Sequence, residues 1–165
     1  ILVFIASYFL QMIQSYTIGY MEERQRMTIA EDINKDEVGL EKSILLEPAG
    51  IIPFYTQLYT YDEVGLVNER INDEMLNDEN FWWINSVNKF HPDYILTIAK
   101  KAGGADGFYK IKPADQAQFD DDYELVKTYP IAKIHDNAPQ LLKWIYQLRP
   151  IGKDYFLYKK RTTNL

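Results

Sequence analysis

Residues 44–66 read ILLEPAGIIPFYTQLYTYDEVGL, and this stretch decides the fold. SILL at 43–46 is an apolar run of strand length that stops at Glu47-Pro48, and LYTY at 58–61 is a second that stops at Asp62. Between them AGIIPFY at 49–55 suits one short helical turn across the strand end, where Gly50 permits close backbone approach. Each strand ends in an acid, and each acid is followed three residues on by a glycine: Gly50 after Glu47, Gly65 after Asp62. Paired in parallel, the two strands deliver both carboxylates to one carboxyl edge, the edge where α/β folds bind ligands. Two acids there can hold a sugar hydroxyl or a cation. The competing role is to cap the helices that follow, accepting backbone N–H bonds and opposing the helix dipole. Neither acid has a partner base or metal ligand nearby in the sequence, so capping is the stronger of the two readings.

Outward from this stretch, strands and helices alternate. After Asp62, a helix is predicted over 67–77 with Val67, Ile71 and Met75 inward, and another over 80–90 with Trp83, Ile84, Val87 and Phe90 on one side. His91-Pro92 stops the second, and DYILTI at 93–98 is a buried strand. The glycine-rich stretch at 100–107 reads as a surface loop, and 108–111 as a short edge strand. A strand follows over 122–129, then a helix over 137–148 with Leu141, Leu142, Ile145 and Leu148 inward, then a closing strand over 154–160. The expectation is an α/β fold: a small, mostly parallel sheet covered by helices on both faces.

On the other side, residues 1–13 (ILVFIASYFLQMI) are apolar apart from Ser7 and Gln11, and the chain does not open on Met. A full membrane span needs about 20 apolar residues, so residues 1–15 are expected to be the end of a transmembrane helix, with Tyr8, Tyr16 and Tyr20 near the interface. From 17 to 35 the pattern becomes amphipathic, with Tyr20, Met27, Ile29, Ala30 and Ile33 set among charges. The division expected is therefore a membrane-helix end at 1–15 and an extracytoplasmic α/β domain at 16–165.

The composition narrows the function. The chain has 165 residues, net charge −6, no cysteine and 13 tyrosines. The acidic balance gives no footprint for a phosphate backbone, so nucleic acid is not an expected partner. Without cysteine there is no thiolate zinc site, disulfide framework or cysteine nucleophile. His91 and His135 lie far apart and are expected to face solvent, and Asp120, Asp121, Asp122 and Glu124 lack calcium-loop spacing and suit a solvated turn. No serine sits in a nucleophile elbow. No catalytic residue, metal ligand or cofactor is expected in this segment.

Taken in order, Glu47, Gly50, Phe54, Tyr55 and Thr56, then Asp62, Gly65 and Leu66, then Pro92-Asp93-Tyr94-Ile95-Leu96, then Tyr155 to Arg161, resemble a known series. It is found in the soluble C-terminal region of integral-membrane GT-C glycosyltransferases, the dolichyl-phosphate-mannose protein mannosyltransferase and aminoarabinose transferase type. The resemblance implies a cell-membrane enzyme that moves a sugar from a polyprenyl-phosphate donor. Its catalytic aspartate would lie in a loop of the membrane bundle, outside this segment. The domain would roof that active site or help dock the acceptor, packing on its own membrane bundle near the lipid-linked sugar donor. Glu47, Tyr55 and Asp62 are the substrate-binding candidates. The alternative from the residues alone is a membrane-tethered extracytoplasmic binding or sensor module with one anchor.

Overall fold

The computed structural model describes residues 2–35, 41–47, 49–66, 68–98, 109–148 and 150–162. Helix α1 (Leu2–Asn34) is followed by β1 (Ser43–Leu46), α2 (Ile51–Thr56), β2 (Tyr59–Asp62), α3 (Glu69–Asn77), α4 (Trp82–Phe90) and β3 (Tyr94–Thr97). Then come α5 (Pro113–Asp122), β4 (Tyr123–Tyr129), α6 (Ile131–Asp136), α7 (Gln140–Leu148) and β5 (Tyr155–Lys160). The five strands form one sheet in the order β2-β1-β3-β5-β4.

Period-2 alternation sends each strand's side chains to two different cores. Leu45, Ile95, Phe156 and Tyr158 face α3, α4 and α5, where they meet Ile71, Trp83, Ile84, Val87 and Phe119. Ile44, Leu46, Tyr94, Leu96, Tyr155 and Leu157 face the other way, onto Ile29 and Ile33 of α1 and Ile52 of α2. Helices therefore cover both faces, as expected. A third cluster, Met21, Ile131, Ala138 and Leu142, fastens α6 and α7 to α1 rather than to the sheet.

The sheet is mixed rather than mostly parallel. β1 runs parallel to β2 and β3, but β5 enters between β3 and β4 and is antiparallel to both. The alternation of strands with helices had implied a parallel return for every strand. After β4, however, α6 and α7 pack on α1 and do not carry the chain back across a sheet face. The return strand consequently pairs in the opposite sense.

The N-terminal run is not set off as a separate segment. It is the first third of α1, a helix of 33 residues and about 50 Å that passes without a break into the domain. Among the described residues no helix is long and apolar enough to cross a membrane. Among the described side chains of α1, the buried ones are Thr17, Met21, Gln25, Ile29, Ala30 and Ile33. Its contact stripe thus includes polar side chains, whereas Tyr20 and Met27 are only half-buried.

Other expectations shift by smaller amounts. Residues 109–111 form no strand, and α5 occupies a stretch that had no assigned element. On α7, Leu142 is buried, but Leu141 and Leu148 are exposed. Val67 and the glycine-rich loop at 100–107 lie outside the described residues.

Candidate functional site

The register of β1 against β2 pairs Leu46 with Asp62, so Glu47 and Glu63 are the next residues at the carboxyl edge. The Glu63 N–H donates to the Leu46 carbonyl at 3.0 Å and extends the ladder by one bond. Thr97 ends β3 at this edge, where it pairs with Phe156, and Tyr129 pairs with Tyr155 beside it. The acids flagged by sequence do reach one edge, but their environments diverge.

Asp62 is buried and engaged by its own turn. Its carboxylate accepts from the Val64 N–H at 3.0 Å and the Leu66 N–H at 2.7 Å, while its carbonyl accepts from the Gly65 N–H at 2.9 Å. Gly65 has φ +73°, and a Cβ there would lie 1.9 Å from Asn72 Oδ1, so the turn needs glycine both for its conformation and for the approach of α3. Asp62 therefore closes a loop and does not cap α3. The cap is Asn68, whose side chain accepts from the Arg70 N–H at 3.1 Å.

Glu47 is exposed and does not cap α2, whose N-cap is Gly50 with no side-chain hydrogen bond. It lines a cavity of about 170 Å³ with Glu22, Gln25 and Arg26 of α1 and Gly152, Lys153 and Tyr155 at the start of β5. Within it Arg26 Nη2 pairs with Glu22 at 2.9 Å, and Arg26 Nε is buried without an acceptor. Burial raises the pKa of the Tyr155 hydroxyl, against the pull of Arg26, to which it is hydrogen-bonded. The cavity thus offers a carboxylate, a guanidinium and a phenol from three separate elements, a donor set suited to hydroxyl-rich or anionic polar groups. Tyr55 is not brought to it. It sits half exposed on α2, edge-on to Phe54 at 5.1 Å, with its carbonyl accepting from Asn34 Nδ2.

Glu63 is the carboxylate that reading the sequence missed. It is buried, with Oε1 accepting from Trp83 Nε1 at 2.8 Å and Oε2 accepting from the Tyr109 hydroxyl. Burial drives its pKa up to about 7, and the hydrogen bonds from Tyr109 and Trp83 only partly oppose this. The Tyr109 hydroxyl is raised as well, by burial and then by the Glu63 charge. Tyr109 stacks on Trp83 with ring centroids 4.6 Å apart, which seals the carboxylate from water. A signal was present: Tyr61 faces the α3–α4 core, and a residue two positions on in an extended chain faces the same way.

The two histidines and the acidic run at 120–122 lie away from this edge in sequence and have other settings. His91 is exposed and ends α4 in a left-handed conformation, as a helix stop requires. His135 does not face solvent. It stacks on Tyr146 at 4.2 Å and its Nε2 lies 3.2 Å from the Lys143 carbonyl, joining α6 to α7. Asp120, Asp121 and Asp122 form the last turn of α5 rather than a loop. No cluster of three or more His, Cys, Asp or Glu positioned for a metal occurs among the described residues.

No curated protein and no solved structure matches the chain. A family model does match, over residues 14–158, from the middle of α1 to within β5 and including the whole carboxyl edge. The chain belongs to that family, the domain of unknown function DUF8728.

Proposed function

We propose that this is the extracytoplasmic accessory domain of a membrane glycosyltransferase using a polyprenyl-phosphate sugar, and that the Glu47 cavity contacts donor or acceptor near the membrane surface. One observation carries the reading: the position of that cavity along α1. Tyr16 is the last strongly exposed aromatic of the apolar part of α1, and Glu22 and Arg26 lie six and ten residues beyond it. At 1.5 Å per residue the cavity is about 9–15 Å further along the helix axis, within reach of a sugar-phosphate headgroup at a bilayer surface. The order of strand-end acids and glycines, which resembles the GT-C accessory domains, supports the same placement. In this reading the domain supplies binding and orientation, and the chemistry belongs to the membrane bundle of the parent chain.

The test is made in the complete membrane protein that carries this domain. Glu47→Ala and Arg26→Ala are each expected to lower sugar transfer from the lipid-linked donor. Losing one charge-assisted hydrogen bond, about 1.5–3 kcal/mol, corresponds to roughly tenfold or more. The melting temperature of Glu47→Ala should be nearly unchanged, because Glu47 is exposed and does not cap α2. Transfer at the wild-type rate in both variants would remove the cavity from the reaction.

A further inference from the structure

We infer that α7, together with the first half of α1, is a bilayer-docking surface, so that the domain lies against lipid along a helix of its own. On α1, the side chains of Phe4, Tyr8, Phe9, Leu10, Met12 and Tyr16 are each at least half exposed. At about 100° per residue they spread over about 240° of the helix circumference. The same apolar surface continues onto α7. A groove of about 230 Å³ lies between Leu10 and Ile13 of α1 and Trp144, Ile145 and Leu148 of α7. Leu141, Trp144 and Leu148 are 60%, 57% and 68% exposed, at i, i+3 and i+7 on the side of α7 away from Leu142 and the α6 packing.

Charge complementarity points to an anionic lipid surface. The first charged residue in the chain is Glu22. Residues 137–152 contain Lys143 and Arg149 and no acid, which makes +2 in a chain of net −6 and leaves −8 on the remainder. The segment that carries the exposed apolar stripe of α7 is thus locally basic, which is the pairing that anionic headgroups select. Tyr8, Tyr16 and Trp144 are aromatic side chains of the kind enriched at membrane–water interfaces. This surface rests only on the membrane-facing part of the proposed function and makes no use of sugar chemistry, so the transfer assay and the vesicle assay can fail separately.

The experiment is tryptophan quenching on the intact chain in phosphatidylcholine vesicles, with and without phosphatidylglycerol. The chain has three tryptophans: Trp83 is buried against the opposite face of the sheet, Trp82 packs beside it, and Trp144 is exposed on α7. Acyl-brominated lipid is expected to quench the wild type, and Trp144→Phe should lose most of that quenching. Aqueous iodide should gain access to Trp144 only when lipid is withheld. Lys143→Glu with Arg149→Glu should weaken quenching in vesicles with phosphatidylglycerol and leave it unchanged in phosphatidylcholine alone. Leu66→Ser, an exposed apolar change elsewhere, should have no effect, and circular dichroism should show all variants folded. Equal quenching in wild type and Trp144→Phe overturns the inference. So does a Trp144 open to iodide in the presence of lipid, and so does one shielded from both quenchers, which would mean that protein covers the surface.

Discussion

Glu63 holds its proton more tightly than an ordinary carboxyl because burial disfavours the charged form by more than the Trp83 and Tyr109 hydrogen bonds favour it. Its ordinary value is 4.5 and its folded value is about 7, so the folded state binds the extra proton between those limits. The stabilisation linked to that proton is fully present below about 4.5 and is lost as pH rises through about 7. Glu63→Gln removes the charge, keeps an acceptor for Trp83 Nε1 and offers its amide to the Tyr109 oxygen. The expected outcome is a variant more stable than wild type at pH 8, an advantage that shrinks steadily towards pH 5. Thermal melts of both proteins across that range check it, and a difference independent of pH would show that Glu63 titrates normally. At this scale the sequence revealed less than half of the site. Glu47 and Asp62 were identifiable from strand ends and glycine spacing, but which acid would be enclosed depended on Trp83 and Tyr109, 20 and 46 residues away.

Between elements, one amide joins α1 to both antiparallel strands. Gln25 is buried on α1, and its Nε2 donates to the Tyr129 carbonyl at 2.8 Å and the Lys153 carbonyl at 2.9 Å. These groups lie at the end of β4 and just before β5, so a single side chain ties α1 to both antiparallel strands at the carboxyl edge. Gln25→Leu leaves two backbone acceptors without their donor, at roughly 1–3 kcal/mol for each group that stays unsatisfied. At about 2–4 °C per kcal/mol for a domain of this size, a clear fall in melting temperature is expected. An unchanged melting point would mean that water takes over both bonds. Elements with a strong period were readable: β1 falls at its predicted residues, and α4, β3, β4 and β5 lie close to theirs. α5 was not, because its sequence PADQAQFDDD buries only Phe119 and shows no stripe. α6 is six residues long and starts directly after Pro130, too short for a helical period to register. The inward face of α7 was misjudged because apolar residues line two of its sides, and only packing on α6 and α1 determines which side is covered.

At the scale of the molecule, the direction of β5 and the reach of α1 are linked. α6 and α7 are held to α1 by Met21, Ile131, Ala138 and Leu142, which directs the chain to β5 along α1 and makes that strand antiparallel. No local pattern encodes this, because strand direction depends on where the preceding helices dock. The covered part of α1 begins at Thr17, which is buried, while Ile13 and Gln14 are half-buried and most of the described side chains before them are exposed. Among the described residues, the α1 side chains buried against the rest of the domain therefore lie from Thr17 onward, within the region that the family match spans. Removing residues 1–13 should leave Met21, Gln25, Ile29 and Ile33 in place and the domain folded, with a melting temperature close to that of the full chain. What should change is association with vesicles. The exposed apolar turns of α1 are gone, and α7 alone presents only Leu141, Trp144 and Leu148 to lipid. Circular dichroism, thermal melting and vesicle flotation on the two chains separate these effects. A truncated chain that unfolds would place part of the core in the first turns of α1, and one that floats with vesicles as fully as the full chain would show that those turns contribute nothing to the membrane surface.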